Sequence, residues 1–483
     1  MRLTDLTDLY QGDDNPEIKG ISSDSRKVRE GHLFVALSGV RDNGARYIAD
    51  AIRHGAVAVL CQNGTSFPPE QDITAVKVFA ENPRRELAHI AAKFYGQQPE
   101  TLAVVTGTNG KTSTAHFTQQ LWEAMGFKAA SMGTLGVHGG GIHREGTLTT
   151  PDTIALHAEL ADLAAAGITH LAMEGSSHGL HQSRLDGVHA TVAGFTNLSR
   201  DHLDYHKTMD DYLIAKAHLF SEILNADGVA MLNADIPEFE ELNRRCGERG
   251  CKVISYGYQG RTIKLHAVTP NPEGQLVSFT VNGTPHEIQL PLVGEFQVMN
   301  ALCALGMVMG KASSDGSDIV PHLENLKGAP GRLQYVAGHP KGAVYVDYAH
   351  TPDALENILK ALRAHTDGRL VCIVGCGGDR DAGKRPVMGK IANDMADMVI
   401  ITDDNPRTEN PELIRRAMLS EAAGALEIGD RAKAIRHGVS GLEKGDVLVI
   451  AGKGHEQGQL IGDKTIPFDD VTQAQDAISK LSN

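Results

Sequence analysis

The stretch LAVVTGTNGKTSTA, residues 102–115, decides the fold of this chain. Its apolar start predicts a buried strand, and the residues from Lys111 onward predict a helix. The glycine-rich turn between them lets the backbone close around phosphate groups, because amide N–H groups at a helix N-terminus attract anions. The stretch departs from the usual Walker A pattern, since Val105 stands where that pattern has glycine. We interpret it as a variant phosphate-binding loop and not as a chance glycine turn.

Each residue type in this loop fits one part of a bound nucleoside triphosphate. A lysine such as Lys111 reaches the β- and γ-phosphates, and a hydroxyl such as that of Thr112 binds Mg²⁺. We therefore predict that the loop binds a nucleoside triphosphate with Mg²⁺ as its cofactor. The loop residues predicted to bind this nucleotide are Gly107, Thr108, Asn109, Gly110, Lys111, Thr112 and Ser113.

The composition limits the class of protein. A length of 483 residues corresponds to about three domains. The formal net charge of −14 argues against a nucleic-acid partner, which would require a basic face. No apolar run approaches the ~20 residues that span a bilayer, and the acidic N-terminus is not a signal peptide. The six cysteines lack zinc-type spacing, so we expect buried thiols in a cytoplasmic protein without membrane insertion.

Strand and helix patterns alternate along most of the chain, which predicts an α/β fold of three domains. An exception is the region near 252–293, where alternating β-type runs predict a smaller antiparallel sheet. From residue 343 onward, four apolar strands with Gly- or Asp-rich ends predict a doubly wound, Rossmann-like sheet with ligands beyond its carboxyl ends. The predicted domains are 1–98, 99–330 with the central P-loop ATPase sheet, and 331–483.

Six further blocks of sequence occur in series after the phosphate loop. They are AMEGSSHGL (172–180), NLSRDHLDYH (197–206), YLIAKAHLF (212–220), GEFQVMNALCAL (294–305), GRLQ (331–334) and VDYAHTPDAL (346–355). With TGTNGKT, these blocks resemble the Mur ligase family and its folylpolyglutamate synthetase relatives, in that family's order and across most of the chain. The resemblance implies an ATP-dependent ligase that activates a carboxylate as an acyl phosphate and joins it to an amine. It also implies an N-terminal domain that binds a UDP-linked substrate, and we expect a monomer.

The resemblance assigns the catalytic residues. They are Lys111, Glu174, His202, Lys216 and His350, with Thr112, Glu174 and His202 as Mg²⁺ ligands and Lys216, as a carbamate formed with CO₂, completing the ligand set. A neutral lysine amine can attack CO₂, and burial favours the neutral form. The nucleotide-binding residues outside the loop are Asn300 at the adenine, Arg332, and Asp347 at the ribose. By residue type alone, Lys216 would be a surface lysine and Asn300 a buried hydrogen-bonding residue.

The acceptor substrate is implied by the N-terminal SSDSRKV (22–28) and by residues near Glu174. These resemble the family member that extends UDP-N-acetylmuramoyl-L-alanyl-D-glutamate. The predicted contacts to this UDP-linked substrate are Ser23, Ser25, Val40, Arg41, Asp42, Thr149, Thr150, Ser176, Gln182 and Arg184. One departure is Gly175, which stands where the family pattern leads us to expect valine. We expect a local packing change there without loss of chemistry.

The amine substrate is implied by DNPR (404–407), at the end of a predicted strand. A planar guanidinium at Arg407 can hold the second carboxylate of meso-diaminopimelate, a group that lysine lacks. The predicted diaminopimelate-binding residues are Arg380, Asp404, Asn405, Pro406, Arg407, Gly452 and Glu456. Without the resemblance, DNPR would be interpreted as a β-turn with a surface arginine.

Three alternatives remain open from the sequence. The nearest is a lysine-adding or folylpolyglutamate-type ligase of the same superfamily. A P-loop phosphotransferase would instead pass the γ-phosphate to a hydroxyl and release no free phosphate. A non-enzymatic muropeptide-binding protein would have no need of Lys111, Glu174, His202 and Lys216 together.

Overall fold

The predicted strand and helix on either side of the phosphate loop lie at the centre of the molecule. A computed structural model describes residues 1–39, 43–67, 75–146, 148–271, 274–310 and 316–481. The strand runs from Thr101 to Thr106 with every residue buried, and the helix runs from Lys111 to Ala124. Gly110, just before the helix, has a φ of 84°, a left-handed conformation that glycine adopts without steric cost.

The N-terminal part of the chain forms a four-stranded parallel sheet. Its strands are β1 (Gly20–Ser22), β2 (His32–Val35), β3 (Ala56–Gln62) and β4 (Val76–Ala80), which pair in this order. Its helices are α1 (Leu3–Leu6), α2 (Ile48–Arg53) and α3 (Pro83–Tyr95). A 3-10 helix, Gly44–Tyr47, leads directly into α2.

The central sheet has eleven strands. They are β5 (Thr101–Thr106), β6 (Ala129–Gly133), β7 (Gly136–Gly139), β8 (Ile142–Arg144), β9 (His170–Glu174), β10 (Ala190–Phe195), β11 (Leu224–Asn233), β12 (Lys252–Gly257), β13 (Ile263–Asn271), β14 (Gly274–Val281) and β15 (Thr284–Leu290). The helices of this part are α4 (Lys111–Ala124), α5 (Thr153–Ala165), α6 (Ser177–His181), α7 (Met209–His218), α8 (Phe239–Arg249) and α9 (Glu295–Met309). The spatial order is β15-β14-β13-β12-β11-β10-β5-β9-β6-β7-β8.

Both faces of the central sheet are covered, as expected for parallel strands. Alternate residues of β5 point to opposite faces, so Leu102 and Val104 belong to one core cluster while Ala103 and Val105 belong to the other. The phosphate loop therefore starts from a strand that is held on both sides, which fixes the position of its backbone.

The antiparallel strands predicted near 252–293 are present, but they do not form a smaller sheet of their own. Strands β13, β14 and β15 do pair antiparallel with one another, but β13 also pairs in parallel with β12. The antiparallel strands therefore extend the edge of the central sheet. Residue alternation predicts a half-exposed strand but carries no information about which neighbour the strand joins.

The C-terminal part forms a six-stranded sheet that is parallel except at one edge. Its strands are β16 (Gln334–Val336), β17 (Ala343–Asp347), β18 (Leu370–Val374), β19 (Met398–Ile401), β20 (Leu426–Glu427) and β21 (Val447–Ala451), in the order β16-β17-β21-β18-β19-β20. Its helices are α10 (Pro352–Arg363), α11 (Lys384–Met395), α12 (Pro411–Leu419), α13 (Arg431–Ser440) and α14 (Asp470–Ser479), and β22 (Gly458–Ile461) and β23 (Lys464–Pro467) form a separate hairpin. The predicted doubly wound α/β arrangement is confirmed, with core clusters on both faces. Among the described residues, no helix is long and apolar enough to cross a membrane.

Candidate active site

A cavity of about 320 Å³ lies where the phosphate loop faces the C-terminal sheet. Most of the residues predicted to bind ATP or Mg²⁺ line it together. These are Thr108, Asn109, Gly110, Lys111, Thr112, Ser113, Glu174, His202, Asn300, Arg332, Asp347 and His350, with Thr149 from the predicted substrate contacts. Gly107 and Lys216 are not among the lining residues. The cavity thus draws on strand ends and loops from two different sheets.

The backbone of the phosphate loop is closely packed. A Cβ atom on Gly107 would overlap Thr196, and one on Gly110 would overlap the amide of Asn300. The ammonium of Lys111 turns back onto the loop, donating to the carbonyl oxygens of Gly107 at 2.9 Å and Thr108 at 2.8 Å. Burial lowers the pKa of Lys111. Gly107 and Gly110 are therefore required both because a side chain would overlap its neighbours and because their φ angles are positive. Lys111 lies beside the phosphate loop, as its predicted contact with phosphates requires.

Glu174 is a buried carboxylate at the carboxyl end of β9. It is 2% exposed, and its Oε1 atom accepts hydrogen bonds from the hydroxyl of Thr112 at 3.0 Å and the amide of Thr134 at 2.8 Å. The hydroxyl of Thr134 also donates to Oε2 at 3.3 Å. An anionic carboxylate and a hydroxyl oxygen are thus held together at the floor of the cavity, a donor pair that suits a hard cation.

Lys216 lies on α7 beneath the loop and is 1% exposed. Its ammonium donates to the carbonyl oxygen of Gly107 at 2.7 Å and lies 4.4 Å from the ring centre of Tyr212. Burial, reinforced by the charge of Lys111, lowers the pKa of Lys216 well below that of a free lysine. The interpretation of Lys216 as a surface lysine is excluded by this burial, although its predicted chemistry stays a prediction.

The C-terminal sheet supplies the opposite wall of the cavity. Arg332 donates from Nη2 to the hydroxyl of Thr112 at 3.1 Å and stacks over the ring of Tyr348 at 4.5 Å. The carboxylate of Asp347 accepts from the amides of Leu333 at 2.6 Å and Ala349 at 2.7 Å. Burial raises the pKa of Asp347, and the nearby Arg332 opposes this change. Contacts within the protein therefore hold both residues in place.

A second cavity, of about 460 Å³, adjoins the first beyond the carboxyl ends of the C-terminal strands. Six of the seven residues predicted to bind diaminopimelate line it. These are Arg380, Asp404, Asn405, Arg407, Gly452 and Glu456. Pro406 does not line it, and its carbonyl oxygen accepts from the amide of Glu409 at 3.1 Å.

Four residues line both cavities: Asp201, His202, Tyr348 and His350. His350 hydrogen-bonds through Nδ1 to the carbonyl oxygen of Tyr348 at 3.0 Å. Since a carbonyl oxygen only accepts, Nδ1 carries the proton of the neutral ring and Nε2 is the acceptor. Burial lowers the pKa of His350, which keeps the ring neutral. A neutral base and a carboxylate thus stand at the junction of the two cavities.

The DNPR segment is held by the β22–β23 hairpin. The amide of Arg407 donates to the carbonyl oxygen of Leu460 at 3.0 Å, and the amide of Gly462 donates to the carbonyl oxygen of Arg407 at 2.7 Å. Arg407 has a φ of 52°, and its Nη1 atom donates to the carbonyl oxygen of Gly378 at 2.8 Å. A left-handed arginine is uncommon, and the paired backbone contacts account for its persistence here.

A polar cluster adjoins the backbone of Glu174. Thr150 donates to the carbonyl oxygen of Glu174 at 3.0 Å, and its own carbonyl oxygen accepts from Arg184 at 2.7 Å. Arg184 also donates to the side chain of Gln182 at 2.9 Å, and Ser176 caps α6. The structure therefore brings Thr149, Thr150, Ser176, Gln182 and Arg184 together, as the predicted substrate contacts require.

The remaining predicted substrate contacts lie in the N-terminal part. Ser23 is exposed and Ser25 is buried, both after β1, while Val40, Arg41 and Asp42 lie outside the described residues. Gly175 packs closely, since a Cβ atom there would stand 3.0 Å from Val104. Within the described parts of the chain, no three His, Cys, Asp or Glu side chains are grouped to hold a metal ion.

Sequence reasoning missed several residues of the two cavities. Asp201, Tyr348 and Asp353 lie inside quoted blocks but were given no role, and Thr134 lies outside the blocks. Asp353 accepts a hydrogen bond from Asn109 at 2.7 Å, which joins α10 to the phosphate loop. Lys453 is buried beside Asn405 and Glu456. The sequence signal for Lys453 was its position in AGKGHE (451–456), between the predicted residues Gly452 and Glu456.

Three family models match the chain in series. They are described as "Mur ligase family, catalytic domain" over residues 17–95, "Mur ligase middle domain" over 105–308 and "Mur ligase, glutamate ligase domain" over 331–454. The chain belongs to the Mur ligase family. ATP dependence of this Mur ligase follows from the family, and the predicted ligase class is confirmed.

Individual relatives match nearly the whole of this Mur ligase. The UDP-N-acetylmuramoyl-L-alanyl-D-glutamate–2,6-diaminopimelate ligase of Agrobacterium fabrum is 48% identical over 466 residues, 96% of this chain and 94% of the relative. The enzyme of the same name from Caulobacter vibrioides is 46% identical, over 99% of this chain and 98% of its own.

Solved structures agree with this membership. A UDP-N-acetylmuramoyl-L-alanyl-D-glutamate–2,6-diaminopimelate ligase is 34% identical, covers 96% of each chain and superposes with a TM-score of 0.70. A MurF ligase from Thermotoga maritima in complex with ADP is 18% identical, covers 95% of this chain and 97% of its own, and has a TM-score of 0.62. The second similarity shows the shared fold alone.

Proposed function

We propose that this Mur ligase joins 2,6-diaminopimelate to UDP-N-acetylmuramoyl-L-alanyl-D-glutamate with hydrolysis of ATP, in the synthesis of peptidoglycan precursors. The observation that carries the proposal is the junction of two cavities through Asp201, His202, Tyr348 and His350. The phosphate loop lines one cavity, and an arginine and a carboxylate suited to an amino acid with two charged ends line the other. The relatives named for this activity are 46–48% identical over nearly the whole chain.

In the first half of the reaction, the phosphate loop binds ATP and the acceptor carboxylate attacks the γ-phosphorus. A carboxylate O–P bond forms, the bond to the β-phosphate oxygen breaks, and ADP leaves. Loop amides, Lys111 and Arg332 lie where they can neutralise the phosphate charge. Most of this catalysis is positioning and electrostatic stabilisation. The product is an acyl phosphate.

Mg²⁺ fits the oxygen donors at the cavity floor. Thr112 and Glu174, 3.0 Å apart, are the ligand pair that the structure brings together. His202 lines the same cavity, and phosphate oxygens of ATP would supply further donors. When bound, Mg²⁺ would neutralise the negative charge that gathers on the transferring phosphoryl group.

The carbamate at Lys216 belongs to the same proposal. The neutral Nζ atom would attack the carbon of CO₂, forming an N–C bond and releasing a proton to solvent. Burial and a lowered pKa support this step, because they favour the neutral amine. The resulting carboxylate would supply a second anionic ligand in addition to Glu174.

In the second half of the reaction, the amine attacks the acyl phosphate. A C–N bond forms, the C–O bond to the phosphoryl group breaks, and phosphate leaves while the nitrogen loses a proton. Arg407 would hold the distal carboxylate of diaminopimelate bidentately, and Glu456 would accept from the distal ammonium. Nε2 of His350, at the junction of the cavities, is placed to accept the proton. Lysine would leave Arg407 without its partner charge, so it would be rejected.

The UDP-linked acceptor would extend from the Thr150–Arg184 cluster towards Ser23 and Ser25. Arg184 suits a pyrophosphate or carboxylate of that substrate. A cytoplasmic location is consistent with six buried free cysteines, which persist in reducing compartments. We also propose that the protein is a monomer with domain boundaries at 98/99 and 330/331.

The test is phosphate release from ATP in the presence of UDP-N-acetylmuramoyl-L-alanyl-D-glutamate. Parallel reactions contain meso-diaminopimelate, L-lysine or no amine, and the mass of the UDP-linked product is measured by mass spectrometry. Release that requires diaminopimelate, with a matching mass gain, supports the proposal. Release with lysine instead would support the mechanism but overturn the role of Arg407. If neither diaminopimelate nor lysine leads to phosphate release, the proposed amine substrate is wrong.

A further inference from the structure

Lys453 is a buried lysine beneath the second cavity. Its side chain is 0% exposed, and it follows Gly452 just after the end of β21. Asp404, Asn405 and Glu456 line the cavity, whereas Lys453 is not among its described lining residues. The ammonium therefore lies behind the residues that face the amine substrate.

This ammonium binds three polar side chains of the cavity wall. Nζ donates to Asn405 Oδ1 at 3.0 Å and to Glu456 Oε2 at 2.9 Å, and it lies 3.7 Å from Asp404 Oδ1. Asn405 closes the network by donating from Nδ2 to Glu456 Oε2 at 2.8 Å. A buried charge is costly unless it is paired and hydrogen-bonded, so these partners hold Lys453 and are held by it.

The network sets which oxygen of Glu456 faces a ligand. Both hydrogen bonds to this carboxylate fall on Oε2. Oε1 is thereby the oxygen with which Glu456 can accept from an ammonium group in the cavity. Two directed bonds fix the plane of the carboxylate better than one, which favours a defined geometry for the ligand.

The same network reaches Arg407 through Asn405. Asn405 Oδ1 accepts from Lys453 and also from the amide of Leu460 at 3.0 Å. The carbonyl oxygen of Leu460 in turn accepts from the amide of Arg407 at 3.0 Å. One buried ammonium thus connects the carboxylate at one end of the amine cavity with the guanidinium segment at the other.

We infer that Lys453 is a positioning residue for the amine substrate, aligning Glu456 for its distal ammonium and the Asn405–Arg407 segment for its distal carboxylate. Lys453 does this without touching the substrate. The inference rests on the proposed function, because it assumes that diaminopimelate occupies the second cavity.

The test replaces the charge while keeping the apolar length, as in Lys453→Met. We expect the KM for diaminopimelate to rise about 10- to 100-fold, the range that corresponds to losing a charged hydrogen bond. The KM values for ATP and the UDP-linked substrate should change by less than about twofold, because Lys453 contacts neither the phosphate loop nor the described residues predicted to contact the UDP-linked substrate. A purely structural role would instead lower activity towards all three substrates together.

The split between KM and kcat separates positioning from packing. In Lys453→Met, the KM for diaminopimelate should rise while kcat at saturating diaminopimelate changes by less than about twofold. A lowered kcat with an unchanged KM for diaminopimelate would contradict the inference.

Two variants complete the design. Lys433→Met removes an exposed lysine of α13, 69% exposed, and should leave every KM unchanged. Lys453→Gln keeps a donor but no charge, and it carries the test if the methionine variant does not fold. A KM for diaminopimelate equal to that of the unaltered protein, in either folded variant, overturns the inference. If the unaltered protein itself does not use diaminopimelate, the proposed function fails first.

Discussion

Arg332 donates a hydrogen bond of 3.1 Å to the hydroxyl of Thr112, joining the start of the C-terminal part to the phosphate loop. A second bond of 2.7 Å, from Asn109 to Asp353, joins the same two parts nearby. Both contacts lie at the ATP cavity, so the cavity is complete only while the two sheets are docked. Nucleotide binding and docking should therefore stabilise each other.

Arg332→Ala should raise the KM for ATP by about tenfold or more, because it removes a phosphate-side cation and the bond to Thr112. Steady-state kinetics with varied ATP measures this effect. Arg436→Ala, an exposed position on α13, is the matched control. An unchanged KM for ATP would show that Arg332 has no part in nucleotide binding.

Lys216 should carry a carbamate in the active protein. Under ¹³CO₂, a ¹³C NMR signal in the carbamate region should appear in the unaltered protein and be absent from Lys216→Met. The buried amine with its lowered pKa is the physical reason. Full activity of a preparation without that signal would contradict the prediction.

Arg407→Met should lower kcat/KM for diaminopimelate by about 100-fold, since a bidentate charged pair is lost. The ratio of lysine to diaminopimelate turnover should rise at the same time. Competition between the two amines, followed by product mass, measures the ratio. If selectivity is unaltered, the discrimination resides elsewhere in the second cavity.

The sequence predicted most of the nucleotide side of the site and less of its supporting contacts. Glu174 and Lys111 could be placed because a strand end and a helix start are local patterns. The contacts of Asp353 and Lys453 could not, because they join segments 244 and 48 residues apart along the chain. The parallel pairing of β13 with β12 was missed for a different reason, since residue alternation does not show which neighbour a strand joins. Domain boundaries and residue roles stay predictions.

Asp470→Asn should destabilise the C-terminal part by about 3–5 kcal/mol, because it leaves a buried arginine unpaired. Arg431 and Asp470 are both 0% exposed and share hydrogen bonds of 2.7 Å and 2.8 Å. Thermal unfolding measures the loss, and Asp476→Asn, exposed on the same helix, is the control. A melting temperature equal to that of the unaltered protein would contradict this assignment.

Acid should destabilise the protein partly through His157. This residue is 1% exposed, neither ring nitrogen has a partner among the described residues, and burial lowers its pKa to about 4. In the unfolded chain, the pKa of a histidine is about 6.5. Between this pH and about pH 4, unfolding is therefore accompanied by uptake of a proton at His157, so the free energy of unfolding falls as the pH drops. The contribution is on the order of 2–3 kcal/mol.

His157→Leu should therefore flatten the decline of melting temperature between about pH 6.5 and pH 4. The flattening is partial, because burial also lowers the pKa of His116 to about 4. Exposed His437→Leu serves as control. An identical decline in variant and unaltered protein would show that His157 does not titrate on unfolding.

The most direct test of the central claim follows the oxygen of the acceptor carboxylate. UDP-N-acetylmuramoyl-L-alanyl-D-glutamate labelled with ¹⁸O in that carboxylate is incubated with ATP and diaminopimelate. The ¹⁸O content of the released phosphate is then measured by mass spectrometry. An acyl phosphate intermediate predicts one ¹⁸O atom in the phosphate, because the C–O bond breaks when the amine attacks. Unlabelled phosphate formed together with the amide product would contradict the account.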